Sequence, residues 1–575
     1  MKIKLARTAG FCMGVRRAVE MVLDSAKDCK GPLYTFGPLI HNPQVLQILA
    51  GKGVRILDDP SSAEPGTVVI RAHGVPPQTK QALIAAGHTI IDATCPRVLK
   101  VQTIIATYAR KGYAALIVGD RNHPEVVGLL GYAGGRGYII THPEDLDTLP
   151  SLKRAIVVAQ TTQNGRLFDR IAYSIRQRFP HFKVFNTICD STLKRQAEAG
   201  KMANGVDAVV VVGGHNSGNT RRLAQVIQHQ GVPAFHIESE AELDRHALQS
   251  LRAVGLTAGA STPNWVIKKV YRALESIPRG RWQQAVYRME QWLLLSNLYL
   301  ALGAGCLSYA CAILSESRPS LPSALMATCY VLSMHTLNNF IRVDAVRYND
   351  PDKANFYSKN RLILLVLAFA SGGTGLFMAF TLGPVPFLVL CAISGLGLLY
   401  KVKLIPRPLK AAGKIERISD IPGSKTVLIA VAWGVVTGLL PRLSLSLKIT
   451  PTTVFVTLWA SITVFVRTAF FDILDMQGDR IVGHESLPIV IGEKKTLHLL
   501  KHLLLISFAV LLVAPIMQVA STASYGLLLS VLYLAAIVKV FEQQVLLPGL
   551  RFEFLIETIF VFTAAVCAVW QLLGW

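Results

Sequence analysis

Ile3–Lys–Leu–Ala–Arg–Thr–Ala–Gly–Phe–Cys–Met–Gly–Val–Arg–Arg–Ala18 decides the reading of the first half of the chain. Ile3–Ala6 is a short strand-like run, Gly14–Ala26 has a helical pattern, and Cys12 stands where the strand has ended and the helix opens. The same junction recurs twice. Thr89–Ile91 leads through Cys95 into Arg97–Arg110, and Val184–Ile188 leads through Cys189 into Ser191–Ala203. Pro96 suits a first helical turn, and Asp190 or Ser191 can cap one. Further β-branched runs at Thr67–Arg71, Ala114–Gly119, Ala155–Gln160 and Ala208–Gly213 are each followed by a helical pattern. This alternation predicts α/β architecture up to about residue 280.

A thiol at a helix N-terminus has its thiolate favoured by the helix dipole, the state that a metal or cluster ligand requires. Three such thiols from widely separated segments do not form a zinc-finger pattern, and on a four-iron cluster they would leave one iron open to substrate. Three inert buried thiols at strand ends are the competing reading. Of the nine cysteines, Cys29 lies in the polar stretch Lys27–Lys30 and lacks this context. Cys306, Cys311, Cys329, Cys391 and Cys567 fall in apolar runs, where a thiol is an ordinary small side chain. His41, in Gly37–Pro–Leu–Ile–His–Asn–Pro43, His73, in Arg71–Ala–His–Gly74, and His123, in His123–Pro–Glu125, all sit in turn-like contexts beside Gly or Pro. Their placement suggests one shared cleft, where imidazolium groups would bind a diphosphate.

From about Leu293 the pattern changes. Apolar stretches of roughly 17–23 residues recur, each long enough to cross a bilayer as a helix. They predict about nine spans, near 293–314, 321–341, 361–382, 384–401, 425–441, 451–471, 497–518, 524–542 and 554–574. The expected organisation of the 575 residues is therefore a domain at 1–280, a basic amphipathic linker at 281–292 suited to the membrane surface, and an all-α membrane domain at 293–575. The net charge of +23 does not indicate nucleic acid, because the Lys and Arg residues cluster between spans and on no recognition motif. They occupy the loops after the second, fourth and sixth spans: Arg342, Arg347, Lys353, Lys359 and Arg361, then Lys401 to Lys425, then Arg480 to Lys495. The positive-inside rule places these loops in the cytoplasm. The first domain is expected there too, since Met1–Gly10 lacks an apolar signal region, and an odd number of spans puts Trp575 on the outer face. A cytoplasmic domain argues against disulfides among its cysteines.

Gly10–Phe–Cys–Met–Gly–Val–Arg–Arg–Ala18, the His41, His73 and Cys95 segments, His123–Pro–Glu125, Gln160–Thr–Thr162 and Asn186–Thr–Ile–Cys189 resemble the IspH/LytB family in order and spacing. The likeness continues through Gly213–Gly–His–Asn–Ser–Gly–Asn219 and Thr257–Ala–Gly–Ala–Ser–Thr–Pro263. It implies a trefoil of three α/β subdomains around a [4Fe–4S] cluster held by Cys12, Cys95 and Cys189. The implied reaction is reductive dehydroxylation of 4-hydroxy-3-methylbut-2-enyl diphosphate to isopentenyl and dimethylallyl diphosphates, with a ferredoxin or flavodoxin as electron donor. Glu125 is the expected proton donor, with Thr161 as a relay at the hydroxyl. His41, His73, Ser217, Asn219 and Ser261 match diphosphate-binding positions, and His123 belongs to the same polar network. Gly218 departs from the family's usual second serine. That loses a hydroxyl contact worth on the order of 1 kcal/mol, but the Gly218 backbone N–H can still serve a phosphate oxygen, so Gly218 stays among the substrate-binding positions, weaker binding is expected and activity is retained.

In the membrane half, Asp472, Asp475 and Asp479 are spaced three and four apart, which puts three carboxylates on one helix face. A divalent cation, such as Mg²⁺ bridged to a diphosphate, would relieve their repulsion; a solvated acidic helix end is the plain alternative. The run Arg467–Thr–Ala–Phe–Phe–Asp–Ile–Leu–Asp–Met–Gln–Gly–Asp–Arg480, with Gly483 and Leu487–Pro488, resembles the second aspartate motif of UbiA-type prenyltransferases. That superfamily transfers a prenyl group from a prenyl diphosphate to an acceptor with the help of Mg²⁺. Its first motif would fall in Leu337–Asp352, where Asn338, Asn339 and Asp344 are candidate ligands and Asp350 and Asp352 possible substitutes. The aspartate spacing is broken there, and Arg342 stands where another acid is expected. Two readings follow: a bifunctional enzyme acting on a prenyl diphosphate and a lipophilic acceptor, or a reductase whose membrane half is an anchor or lipid-binding module. A cluster-bearing sensor without turnover is the third.

Overall fold

The computed structural model describes residues 1–29, 31–277, 280–341, 346, 349–400, 418, 421, 423–482, 486–543 and 549–574. The chain divides into two compact units, Met1–Arg279 and Gly280–Trp575.

The first unit contains three four-stranded sheets, all parallel. Strand β1 (Lys2–Leu5) opens the chain. Strands β2 (Leu33–Phe36), β3 (Val54–Leu57), β4 (Thr67–Ile70) and β5 (Thr89–Asp92) form a sheet in the order β3-β2-β4-β5. Strands β6 (Ala114–Val118), β7 (Gly137–Ile140), β8 (Ala155–Ala159) and β9 (Lys183–Val184) form the next, in the order β7-β6-β8-β9. The third sheet joins both ends of the unit, because β1 pairs with β12 (Ala253–Ala258), from Lys2 opposite Ala253 to Leu5 opposite Leu256. Strands β10 (Ala208–Val212) and β11 (Ala234–Ile237) complete it in the order β1-β12-β10-β11. Three parallel sheets fit the trefoil-like arrangement expected for this half.

The sequence explains the middle strands. β6, β8 and β10 read Ala–Ala–Leu–Ile–Val, Ala–Ile–Val–Val–Ala and Ala–Val–Val–Val–Val and are buried throughout, because helices cover both faces of a parallel sheet and leave no place for alternation. Each strand end then feeds a helix whose first turn carries a candidate functional residue. Cys12 caps Met13–Asp28, Cys95 caps Pro96–Arg110, His123 caps Pro124–Leu130, Cys189 caps Asp190–Ala203 and Ser217 caps Gly218–Gln228. In open parallel sheets, sites form where strands end and helices begin.

The second unit is all-helical and corrects the expectation of nine spans. Among the described residues, six helices are long and apolar enough to cross a membrane: Arg361–Leu382, Ser424–Leu443, Pro451–Arg480, Glu493–Val513, Ala523–Glu542 and Leu550–Leu572. The pair Arg281–Leu295 and Leu298–Leu314, bent by 71°, makes seven if it counts as one span. This is a multi-pass membrane domain, with fewer spans than the apolar runs suggested.

Three runs account for the difference. The stretch expected at 293–314 is divided at Asn297, whose left-handed backbone (φ 60) separates the two helices and leaves 17 residues in the second. The helix Leu321–Ile341 is long enough, but Ser323, Ser333, His335, Thr336, Asn338 and Asn339 dilute its apolar character. Pro384–Leu399 has 16 residues, short against a hydrocarbon core of about 30 Å at 1.5 Å per residue.

Candidate active site

The three cysteines at helix starts come together. A Cβ built on Gly14 would lie 2.5 Å from Cys95 Sγ, so only a glycine there lets the Cys95 thiol approach the start of the Cys12-capped helix. Burial raises the Cys95 thiol pKa, and the neighbouring Cys12 and Cys189 add to the rise. Arginines join the segments. Arg17 Nη1 donates to Thr94 O at 3.1 Å, Arg97 pairs with Asp190 at 2.6 Å, and buried Arg195 donates to Gly10 O at 2.7 Å and Ala258 O at 3.2 Å. Burial lowers the pKa of Arg195, and Cys12, Glu198 and Cys189 oppose that fall. Three sulfur donors at helix N-termini, with a glycine keeping the space between two of them open, fit an iron–sulfur cluster held by Cys12, Cys95 and Cys189.

Glu125, in the first turn of the helix Pro124–Leu130, is 1% exposed. One carboxyl oxygen accepts from Thr161 N at 2.6 Å and the other from Thr161 Oγ1 at 2.8 Å. Thr161 O in turn accepts from Cys189 N at 2.9 Å, which ties the carboxyl to a cysteine-bearing turn. Burial pushes the Glu125 carboxyl up to about 7, against the opposing bonds from Thr161. An acid whose pKa lies near neutrality is partly protonated at pH 7 and can release that proton.

The three histidine turns also converge. The rings of His41 and His73 are 4.9 Å apart, those of His73 and His123 5.3 Å, and those of His41 and His123 5.7 Å. His123 Nδ1 accepts from Glu125 N at 3.1 Å. The imidazolium expectation is corrected: burial holds His73 well below its ordinary pKa, His123 at about 4, and His41 below normal, with mutual repulsion and nearby arginines adding to the fall. The trio is thus biased toward the neutral form and offers ring nitrogens that can hold a metal ion or donate N–H groups.

The loop after β10 closes against the His41 turn. A Cβ on Gly214 would meet His41 O at 2.7 Å, and Ser261 Oγ donates to that carbonyl at 3.3 Å. Ser217 Oγ accepts from Thr220 N at 3.4 Å. His41 Nε2, His73 Nδ1 and both polar side-chain atoms of Asn219 are buried without a hydrogen-bond partner among the described residues. Unmatched polar atoms converging on one place suit a polar ligand. Sequence reasoning missed Arg17, Arg195, Asp120, Gln163 and Arg222, which brace these segments; in sequence their charges are those of ordinary helix faces and turns.

Among the described residues of the second unit, the candidate acids form no group within reach of one ion. Asp472 is buried and accepts from the Thr426 hydroxyl and from Lys425 Nζ, the latter at 3.4 Å. Asp479, also buried, accepts from Asn349 Nδ2 at 2.9 Å. Asp475 is on the same helix, Pro451–Val482. Asp472, Asp475 and Asp479 do not form a group whose oxygens could all reach one ion, so this arrangement does not fit a Mg²⁺ held by the three together.

The two motif segments nonetheless meet, because a Cβ on Gly478 would overlap Asn349 Oδ1, at 1.6 Å. Asn339 Nδ2 donates to Tyr357 Oη at 3.0 Å; Asn297, which also bonds Tyr357 at 2.8 Å, accepts from Lys353 Nζ at 2.9 Å. Asn338 lies in the last turn of Leu321–Ile341, and Asp350 caps Pro351–Lys359, whose first turn holds Asp352. Asp344 and Arg342 lie outside the described residues. A further buried ion pair joins Arg467 to Glu557.

Residues 3–275 match the family model described as LytB protein. Over 289 residues the chain is 43% identical to 4-hydroxy-3-methylbut-2-enyl diphosphate reductase of Opitutus terrae, covering 48% of this chain and 100% of that one. Over 285 residues it is 47% identical to the protein of the same name from Solidesulfovibrio magneticus, again covering 48% and 100%. The chain thus belongs, through its first unit, to the LytB family. The other half is similar to a solved UbiA homolog from Aeropyrum pernix K1, 14% identical with a TM-score of 0.38, covering 48% of this chain and 98% of that one. Nothing about activity follows from so distant a likeness.

Proposed function

We propose that the first unit reduces 4-hydroxy-3-methylbut-2-enyl diphosphate to isopentenyl and dimethylallyl diphosphates. The observation that carries this reading is the buried Glu125 carboxyl hydrogen-bonded to Thr161, next to His123 and tied through Thr161 to the turn of Cys189. Cys12, Cys95 and Cys189 would hold a [4Fe–4S] cluster, which supplies the electrons one at a time and an iron open to the substrate oxygen. The chain's own residues do the rest. His41, His73 and His123, as neutral N–H donors, together with Ser217, Asn219 and Ser261, bind and orient the diphosphate. Glu125 holds a proton at its carboxyl and passes it, through Thr161 Oγ1, to the leaving hydroxyl oxygen, so that the C–O bond breaks and the oxygen departs as water. The two electrons stay on the allyl fragment, and a second proton, from solvent, forms the new C–H bond at one end of it or the other. A ferredoxin or flavodoxin is the electron donor that the family implies.

For the second unit the favoured reading is an enzyme of prenyl transfer, acting on a prenyl diphosphate and a lipophilic acceptor. The support for it is two separate polar contacts on the helix Pro451–Val482: buried Asp472 with Thr426 and Lys425, and buried Asp479 with Asn349. Such groups are costly within an apolar bundle and mark functional sites by default. Lys425 supplies positive charge beside Asp472. The cationic loops favour a cytoplasmic first unit, and an odd number of crossings would carry Trp575 to the outer face.

The test is anaerobic turnover of 4-hydroxy-3-methylbut-2-enyl diphosphate by the cluster-reconstituted full-length chain with a strong chemical reductant. Both five-carbon diphosphates are expected as products. A chain with an intact cluster spectrum that leaves the substrate untouched would sink the reductase reading and favour a sensor.

A further inference from the structure

Arg222 lies one turn into the helix Gly218–Gln228 and is 6% exposed. Its guanidinium is fixed at two of its three nitrogens. Nη2 donates to both oxygens of Asp120, at 2.8 Å each, and Nε donates to Gln163 Oε1 at 2.9 Å. The third, Nη1, is buried without a hydrogen-bond partner among the described residues. A planar fork held in this way cannot turn Nη1 elsewhere.

Gly218 shows where Nη1 points. A Cβ added there would stand 3.0 Å from Arg222 Nη1, 3.5 Å from Asp120 Oδ2 and 3.6 Å from His123 Cδ2. Nη1 therefore faces the space beside Gly218, next to the His123 ring and between Ser217 and Asn219 in sequence. The backbone does not demand a glycine at this position, which is the first residue of a helix and has no left-handed φ. What the glycine contributes is room. A serine would bring a hydroxyl and at the same time crowd the guanidinium.

We infer that Arg222 is a specificity-determining residue for the diphosphate, its unpartnered Nη1, which packs against the side-chain-free Gly218, donating to a phosphate oxygen. This rests on the reductase reading above. A charged donor makes a stronger hydrogen bond to an anion than a hydroxyl does, so the departure at Gly218 exchanges a neutral contact for a charged one. Asp120 orients the fork, and its own charge opposes an incoming anion. The binding penalty expected from the missing serine is thereby offset, and selection against an uncharged allylic alcohol is sharpened.

The full-length chain in detergent, titrated calorimetrically with inorganic pyrophosphate, tests this through three variants. Arg222→Gln should weaken binding roughly tenfold to a hundredfold, the loss of one charge-assisted hydrogen bond. Gly218→Ala changes no charge and adds no hydroxyl, so weakening of about threefold or more would show that the open space itself matters. Asp120→Asn keeps the arginine's charge and should bind pyrophosphate as tightly as the parent, or more tightly.

Wild-type affinity in both Arg222→Gln and Gly218→Ala would overturn the inference. So would an Asp120→Asn loss as large as that of Arg222→Gln, which would make Arg222 a strut for the fold, and so would a parent chain that fails to bind pyrophosphate. Pyrophosphate binding with this variant pattern but no turnover would sink the reductase reading alone. Turnover with all three variants binding like the parent would sink only the role of Arg222.

Discussion

Replacing Glu125 by Gln keeps the shape of the side chain and removes its ionisation, so it isolates what burial does to that carboxyl. Its rise from 4.5 to about 7, at about 1.4 kcal/mol per pH unit, corresponds to about 3 kcal/mol. The sign follows from proton counting. Between pH 4.5 and 7 the folded chain binds the proton that the unfolded chain has lost, so stability must fall as pH rises through this window. The contribution is fully present below about pH 4.5 and gone above about pH 7. Glu125→Gln lacks this decline, so relative to the parent it should gain about 3 kcal/mol of first-unit stability across the window. Activity should move oppositely: parental turnover should fall above about pH 7 as the proton donor ionises, and the variant should be nearly inactive throughout. Denaturant unfolding of the first unit at pH 5 and pH 8, beside a pH–rate profile, measures both. A stability difference that does not change with pH would refute the protonated, buried acid. A parental rate that is flat from pH 6 to 9 would refute its part in proton transfer.

Gly14→Ala places a methyl 2.5 Å from Cys95 Sγ and should displace that thiol, costing about 1–3 kcal/mol and most of the iron content. Iron and sulfide analysis would show it, and full cluster loading would mean that Cys95 is free to shift. In the second unit, Asp472→Asn removes the carboxylate that pairs with Lys425 and should abolish transfer from a labelled prenyl diphosphate to lipophilic acceptors in membranes bearing the full-length chain. Transfer at the parental rate would leave Asp472 a structural residue, and no transfer by the parent would favour the anchor reading.

The sequence by itself determined a good deal. Strand-to-helix junctions at Cys12, Cys95 and Cys189 declared the α/β half, since a buried parallel strand must be a short apolar run and the helix after it must open with a capping residue. Family spacing singled out Glu125, Thr161 and the histidines. Long apolar runs announced the membrane half, because hydropathy is a local property.

Tertiary structure decided the rest. Whether the histidines are charged depends on burial beside one another and beside arginines, and three turns far apart in sequence carry no record of that. The role of Arg222 depends on Asp120, 102 residues away, and on the close approach of its Nη1 to Gly218. The number of spans turned in part on one left-handed residue, Asn297, which breaks an apolar run into two helices, and the partners of Asp472 and Asp479 turned on which lysine, threonine and asparagine reached each. Local pattern fixes what a segment can become, whereas charge state, ligand geometry and partner choice depend on distances between segments, which only the folded chain sets.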